Sequence, residues 1–296
     1  MKPSEIEKIN QFSLQLFGSK SPQNLFKNNI YPYFGYFNVD IFDCPDFTMF
    51  TNNDCLRSRQ ILFEKSFENT SMRIWCRPIK GATSTIDIGA HVGVYTLAAA
   101  ASGVKNIYSF EPNPQAFERL RINLDINGFD WITFFRSAVS NESGYVKFGH
   151  VPKNSANISS GSRIGGYNHP ENIEIIVEAV KFDDLAQQIE FGDRPIVKID
   201  VEGSEKLVIL RMIDFINVSK PDLILETFDK KNADDITMLL KKNNYEIYFI
   251  DEQKNEIIAV ESILPANIES GNCNNFITQS SREKLIDVFS EEISIT

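Results

Sequence analysis

Two stretches of this chain set ionisable side chains in glycine-broken turns. The first is Asp87-Ile88-Gly89-Ala90-His91-Val92-Gly93, which reads as a strand end passing through a Gly-spaced turn into a helix. Gly89 lets the backbone approach a ligand closely, and the free N–H groups of the following helix face whatever occupies the crevice. Taken alone, Gly-x-x-x-Gly serves tight helix-on-strand packing equally well. Glu111 ends the next strand about 20 residues on, where a carboxylate can accept hydrogen bonds from both hydroxyls of a ribose. Just before Asn113 and Pro114 it also reads as an acid favoured by a helix N-terminus. A glycine turn and an acid at this distance together point to a nucleoside cofactor. The dinucleotide fingerprint G-x-G-x-x-G is absent, so the glycine that brings backbone against a pyrophosphate is missing. A cofactor with ribose and adenine but no phosphates fits better, and S-adenosylmethionine is the common one.

The second stretch is Lys198-Ile199-Asp200-Val201-Glu202-Gly203-Ser204-Glu205. Alternation along a strand puts Lys198, Asp200 and Glu202 on one side if the strand runs that far. A lysine inside a buried strand demands a partner, and a carboxylate is the obvious one; the same pair, with helix-flanking acids, can also simply fix the turn. Where an acceptor must lose a proton, a base is needed nearby, and the candidates are Asp200 first, then Glu202 or His91, with Lys198 beside them. Asp200, Glu202 and Glu226 could alternatively gather Mg²⁺, although no metal site is expected from spacing. For each of His91, His150 and His169, ordinary hydrogen bonding is the plain reading.

The elements that must position these groups follow from periodicity. Ser84 to Ile88, Asn106 to Phe110, Trp131 to Phe135, Pro195 to Asp200 and Asp222 to Glu226 read as strands. Helices are predicted over Val94 to Ser102, from Pro114 with Phe117, Leu120 and Leu124 on one face, and over Lys181–Ile189, Ser204–Phe215 and Lys231–Asn243. Runs such as IVKI and LILE imply strands buried on both faces. The fold class is therefore α/β, a doubly wound, mostly parallel sheet of Rossmann-like type. Tyr245–Ile250 and Glu256–Val260 form an antiparallel hairpin at its edge. Residues 1–80 are predicted as an α+β cap, with a helix over Ser4–Phe17 and short antiparallel strands such as Tyr36 to Phe42; residues 81–296 form the cofactor-binding domain. The cap's aromatics, among them Tyr33, Tyr36, Phe42 and Phe50, read first as plain core and second as a pocket lining. Residues 149–172 are poor in large apolar side chains and read as a long loop, a candidate lid.

Composition limits the partners. The 296 residues carry 30 Lys and Arg against 40 Asp and Glu, a net charge of −10, with 42% apolar residues. The scattered basic residues provide no patch for a phosphate backbone, which argues against nucleic acid. No apolar run reaches membrane-span length, no signal peptide is evident, and four cysteines without C-x-x-C spacing read as reduced thiols. A cytoplasmic protein is expected, with homo-oligomerisation left open.

Through TIDIGAHVGVYTL, YSFEPNPQAFERLRINLDING, SAVSNESG, VKFDDL and above all VKIDVEGSE, residues 80 to about 230 resemble the FkbM family of S-adenosylmethionine-dependent methyltransferases. The resemblance implies a class I methyltransferase fold acting on a hydroxyl oxygen of a sugar, glycan or secondary metabolite. It implies that Asp87, Gly89 and Gly93 surround the amino-acid part of the cofactor, that Glu111 holds the ribose, and that Ser137 and Ala138 touch adenine. Ala90, His91, Pro112, Asn113 and Asp200 complete the expected cofactor wall. His91 stands where the family often has Asn, and the first eighty residues match poorly, which leaves the acceptor undefined. Two other readings remain: a catalytically silent cofactor-binding or assembly subunit, and a nicotinamide oxidoreductase, for which the first turn is poorly suited.

Overall fold

In the computed structural model, the described residues are 2–18, 32–79, 84–150, 158, 162–165, 173–187, 189, 191, 195–267, 271–289 and 292–296. The chain opens with α1 (Pro3–Gly18), the antiparallel hairpin β1 (Phe34–Val39) and β2 (Phe47–Asn52), the short α2 (Leu56–Arg59), a π-helical turn over Gln60–Glu64, and α3 (Asn69–Ile79). Then follow β3 (Ser84–Ile88), α4 (Val94–Ala101), β4 (Asn106–Phe110), α5 (Pro114–Ile126), β5 (Thr133–Phe135), β6 (Ser137–Val139), β7 (Gly144–His150), β8 (Arg163–Ile164), β9 (Ile173–Val180) and α6 (Phe182–Ala186). The last part comprises β10 (Ile196–Ile199), α7 (Glu205–Leu210), α8 (Ile213–Ser219), β11 (Asp222–Glu226), α9 (Lys230–Lys241), β12 (Glu246–Asp251), β13 (Glu256–Val260), β14 (Asn274–Thr278), α10 (Arg282–Phe289) and β15 (Ser294–Ile295).

The main sheet runs in the order β15-β13-β12-β14-β11-β10-β3-β4-β5. Its centre is parallel: β11, β10, β3, β4 and β5 all pair in one direction. Chain order runs outward from β3 through β4 to β5 and then restarts at β10 on the other side, so the switch point lies between β3 and β10, where an open α/β sheet offers a crevice beyond its carboxyl ends. This is the expected doubly wound α/β architecture. Both faces are covered. Ile196 and Ile224 pack with Leu97, Leu120, Trp75 and Phe289 on one side, while Val197, Ile199, Leu223 and Leu225 pack with Phe182, Val208, Phe215 and Ile236 on the other. Trp75 meets the Tyr95 ring edge-on at 5.2 Å and donates its indole N–H to the Tyr95 carbonyl; truncating a ring buried this way costs about 3–5 kcal/mol.

The N-terminal hairpin is held by α5. Asn127 Oδ1 accepts the Thr48 N–H while its Nδ2 donates to the Thr48 carbonyl, and Asn123 Oδ1 accepts the Phe50 N–H. These amides stand in for a neighbouring strand and satisfy the open edge of β2. Arg119, one turn earlier, clasps Asp54 with both guanidinium nitrogens at 2.9 and 2.7 Å. The α5 start itself is local chemistry: Asn113 caps it by accepting the Gln115 N–H, with Pro114 at the first helical position.

Several sequence expectations are corrected. The β12–β13 hairpin forms, but it is not the sheet edge, because β15 pairs beyond it and the antiparallel β14 separates it from β11. The helix expected over Ser204–Phe215 is two, broken at Arg211–Met212; there the Arg211 carbonyl accepts the Asp183 N–H, and Asp183 Oδ1 accepts the Phe215 N–H, so bonds from α6 hold the break. The strand expected from Trp131 starts only at Thr133, that expected over Tyr36–Phe42 ends at Val39, and the helix expected over Lys181–Ile189 is confined to Phe182–Ala186. Within the loop expected over 149–172, Gly149 and His150 continue β7, and Arg163–Ile164 pairs with it; the rest, apart from Ile158, Ser162 and Gly165, lies outside the described residues. No described helix is long and apolar enough to cross a membrane.

Candidate active site

A cleft of about 970 Å³, counted with its open mouth, lies beyond the carboxyl ends of β3, β4 and β10. Its floor is the β3–α4 turn. Gly89 sits at φ 90°, and a Cβ there would stand 1.8 Å from the backbone oxygen of Asp200. The glycine is thus required first by the neighbouring strand: the Asp200 N–H donates to the Ile88 carbonyl, and the two turns interlock. His91 follows in the left-handed region, at φ 52°.

Glu111 closes one wall. Its two carboxylate oxygens accept the backbone N–H groups of His91 and Asn113, each at 2.7 Å. Burial pushes this carboxyl up to about 7, against the pull of those two hydrogen bonds. Asp87, fully buried beneath, is pushed up to about 6 by desolvation although Thr96 donates to it at 2.6 Å. Ser137 and Ala138 lie on β6, where the chain leaves the main sheet for the small four-stranded sheet β6-β9-β7-β8, and both reach the cleft wall.

Opposite stands the β10 end. Lys198, only 2% exposed, donates to Asn274 Oδ1 at 2.9 Å, lies 3.7 Å from Asp200 Oδ2 and sits 5.3 Å from the centre of the Tyr95 ring. Desolvation pulls its pKa down, but the surrounding Asp200, Glu68, Glu226 and Asp87 outweigh it and keep the ammonium charged. The expected carboxylate partner is present, although the nearer contact is to an amide. Strand β10 ends at Ile199, and Glu202 adopts φ 54°, so the alternation expected through Glu202 does not continue to it. Glu202 still lines the cleft, its carboxyl raised to about 8 by burial and by Asp200 and Glu205. His91 is pushed down to about 4 by burial and by Arg57.

Of the residues singled out in the sequence, Asp87, Gly89, Ala90, His91, Glu111, Pro112, Ser137, Ala138, Lys198, Asp200 and Glu202 all line this one cleft. Gly93 and Asn113 do not: Gly93 caps α4 against the Leu120 side chain, and Asn113 caps α5 and donates to Ser162 Oγ. Arg57, Phe67 and Glu68 from the N-terminal segment, Tyr95 on α4, and Phe148, Ser162 and Ile164 from the small sheet and its approach complete the wall. Apart from Tyr95, which lies within TIDIGAHVGVYTL, no motif marked them, because their relevance comes from tertiary placement alone. The early aromatics Tyr33, Phe34, Tyr36, Phe37, Phe42, Phe47 and Phe50 are not on the cleft wall; Phe37 and Phe47 are core and Phe42 packs against it. Among the described residues, no group of three or more His, Cys, Asp or Glu side chains is placed to hold a metal, so the Mg²⁺ alternative built on Asp200, Glu202 and Glu226 finds no support. The His150 side chain and His169 lie outside what is described.

Two polar atoms on this wall, Ser137 Oγ and His91 Nε2, are buried without a hydrogen-bond partner among the described residues. Together with the desolvated Glu111 carboxyl they leave acceptor and donor capacity that a polar ligand would satisfy.

Residues 87–247, more than half of the chain, match the family model described as Methyltransferase FkbM domain. The chain is 28% identical over 156 residues to the hexuronic acid methyltransferase AglP of Haloferax volcanii, covering 53% of this chain and 60% of that protein, less than two thirds of the relative's length. Among solved structures it is similar to a methyltransferase FkbM from Methylobacillus flagellatus KT (TM-score 0.42, 17% identity, 66% of this chain and 43% of that one). It is also similar to a SAM-dependent methyltransferase from Agrobacterium tumefaciens (TM-score 0.44, 10% identity, 86% and 72%).

Proposed function

This chain belongs to the FkbM methyltransferase family, and from that premise we propose that it is an O-methyltransferase that moves the methyl group of S-adenosylmethionine to a hydroxyl of a sugar, glycan or secondary metabolite. The observation that carries the reading is the convergence of the Gly89 turn, the Glu111 carboxyl and the Asp200 strand end on a single cleft. The residues present suit the cofactor: Glu111 offers carboxylate lone pairs for ribose hydroxyls, the unpartnered Ser137 Oγ offers a donor and acceptor for an adenine edge, and the acidic Asp87 suits an ammonium and Asp200 a cationic sulfonium. When bound, that cofactor supplies an electrophilic methyl group on sulfur.

Such a transfer is an in-line displacement, so the protein's work is alignment, exclusion of water and acceptance of one proton from the alcohol. Three groups compete for the proton. Glu202 holds its own at neutral pH, being raised to about 8, and His91 belongs to the β3–α4 turn rather than to the β10 end. Asp200, at the cleft beside the Lys198 ammonium, is the base of this proposal. The relative AglP is named for a hexuronic acid, which supports a sugar as acceptor class. The test is incubation with S-adenosylmethionine and a panel of hydroxylated sugars, sugar acids and polyols, read by mass: gain of one methyl on a hydroxyl supports the reading, and cofactor turnover with no methylated hydroxyl in any class overturns it.

A further inference from the structure

Arg57 enters the cleft from α2, immediately before the π-helical turn at Gln60–Glu64; such turns re-aim side chains and recur at functional sites. Its guanidinium lies 5.6 Å from the centre of the Phe67 ring, and Nη1 donates to Gln60 Oε1 at 3.3 Å. Among the described residues, no carboxylate comes within ion-pair distance of it. The acids that surround it are engaged elsewhere. Glu68 accepts from the Tyr95 hydroxyl and from Asn274, and Asp200 faces Lys198. Burial favours the protonated, uncharged forms of Glu202 and Glu226. A guanidinium presents five donors in a rigid fork, and among the described residues one long bond to an amide oxygen leaves most of that fork unpaired at the cleft wall. The guanidinium is part-buried, and Glu68, Asp200 and Glu226 hold its charge against burial without pairing with it directly; a bidentate carboxylate is the ligand group that would fill the fork itself.

We infer that Arg57 receives a carboxylate of a bound ligand, with Phe67 fixing the plane of the fork. The inference rests on the methyl-transfer reading, which offers two sources of this group: the amino-acid end of the cofactor, or an acid on the methyl acceptor. In either case the N-terminal segment supplies a specificity residue that lies outside the matched family region, residues 87–247.

The experiment titrates S-adenosylhomocysteine and 5′-methylthioadenosine, which lacks the amino-acid carboxylate, into the unmodified chain and into Arg57→Met and Arg57→Lys. D-glucuronate and D-glucose are then titrated into the S-adenosylhomocysteine-loaded chains. If the cofactor supplies the carboxylate, Arg57→Met weakens S-adenosylhomocysteine about 10- to 100-fold and leaves 5′-methylthioadenosine unchanged. If the acceptor supplies it, glucuronate is weakened by a similar factor while both nucleosides and glucose are unaffected. Arg57→Lys recovers part of the loss, since it keeps the charge without the fork. Arg57→Met that binds all four probes like the unmodified chain overturns the inference and leaves methyl transfer standing; equal weakening of every probe marks a structural role and overturns it as well. Failure of the unmodified chain to bind S-adenosylhomocysteine overturns the proposed function, and the Arg57 assignment with it.

Discussion

Gly89 and Asp200 touch backbone to backbone: a Cβ added at residue 89 would lie 1.8 Å from the Asp200 carbonyl oxygen, and the turn adopts φ 90°. This contact fixes the proposed cofactor turn after β3 relative to the proposed base after β10, so the distance between the two halves of the site is set by main chain rather than by side chains.

Gly89→Ala therefore meets two penalties, left-handed strain and a backbone overlap that cannot relax cheaply. The matched control is Gly103→Ala, at φ 86° with nothing within 4 Å of the added Cβ, which bears the strain alone, about 1 kcal/mol. Gly89→Ala is expected to lose at least about 3 kcal/mol by chemical denaturation; equal losses in the two variants would remove the interlock from the account.

At the candidate base, Asp200→Asn is expected to depress kcat about 10²- to 10⁴-fold with little change in S-adenosylhomocysteine affinity. Glu202→Gln is expected to stay within a few-fold of the parent at pH 7, because glutamine resembles the protonated acid that burial favours there. Steady-state kinetics on any accepted sugar reads both. The reverse pattern, with Glu202→Gln inactive and Asp200→Asn active, would move the base to residue 202.

Stability of the ligand-free chain should fall as pH rises from about 6.5 to 8. Asp87, Glu111 and Glu202 have folded pKa values raised to about 6, 7 and 8. In this range folded Glu111 and Glu202 still hold protons that the unfolded chain has released, whereas Asp87 exerts its effect mainly below pH 6, and each further pH unit costs up to about 1.4 kcal/mol per titrating group. His91, lowered to about 4, works in the opposite sense, but only between pH 6.5 and 4, where the unfolded chain takes up the proton first. Urea denaturation at stepped pH measures the slope. Glu202→Gln should match the parent near pH 4, where the glutamate is protonated in both states, and gain on it progressively up to about pH 8; parallel curves would contradict the assigned burial.

Arg119 binds Asp54 through two short bonds, its own side chain 8% exposed and that of Asp54 22%, and it also lies 4.8 Å from the Phe50 ring centre. Arg119→Met leaves Asp54 without its cation and should cost about 3 kcal/mol. Because this clasp holds the hairpin onto α5, proteolysis within β1–β2 should accelerate in parallel. Unchanged stability would show that the Asn123 and Asn127 bonds suffice.

The parallel centre of the sheet was legible because its strands are short apolar runs closed by turn residues, and Asn113 with Pro114 announced the start of α5. What escaped was decided elsewhere in the chain. Strand β14, Asn274 to Thr278, carries two buried asparagines that look like loop; Asn274 is accommodated by accepting from Lys198 and donating to Glu68, Asn275 by bonding both backbone groups of Leu264. The break between α7 and α8 depends on Asp183, far away in sequence. In the site, the glycine turn and Glu111 carried a local signature, whereas Arg57 and Glu68 reach the cleft through the packing of the N-terminal segment, and nothing in their own neighbourhood marked them; Tyr95 lay within a quoted motif but gained its place only from the way α4 packs.

On the proposed function, an adenosyl group without phosphates lies across the ends of β3 and β4. A crystal structure of the chain grown with S-adenosylhomocysteine tests it most directly. The ribose hydroxyls should be found on the Glu111 carboxylate, with the adenine beside Ser137 and Ala138. An empty cleft at saturating ligand, or a nucleoside bound with its ribose away from Glu111, would contradict it.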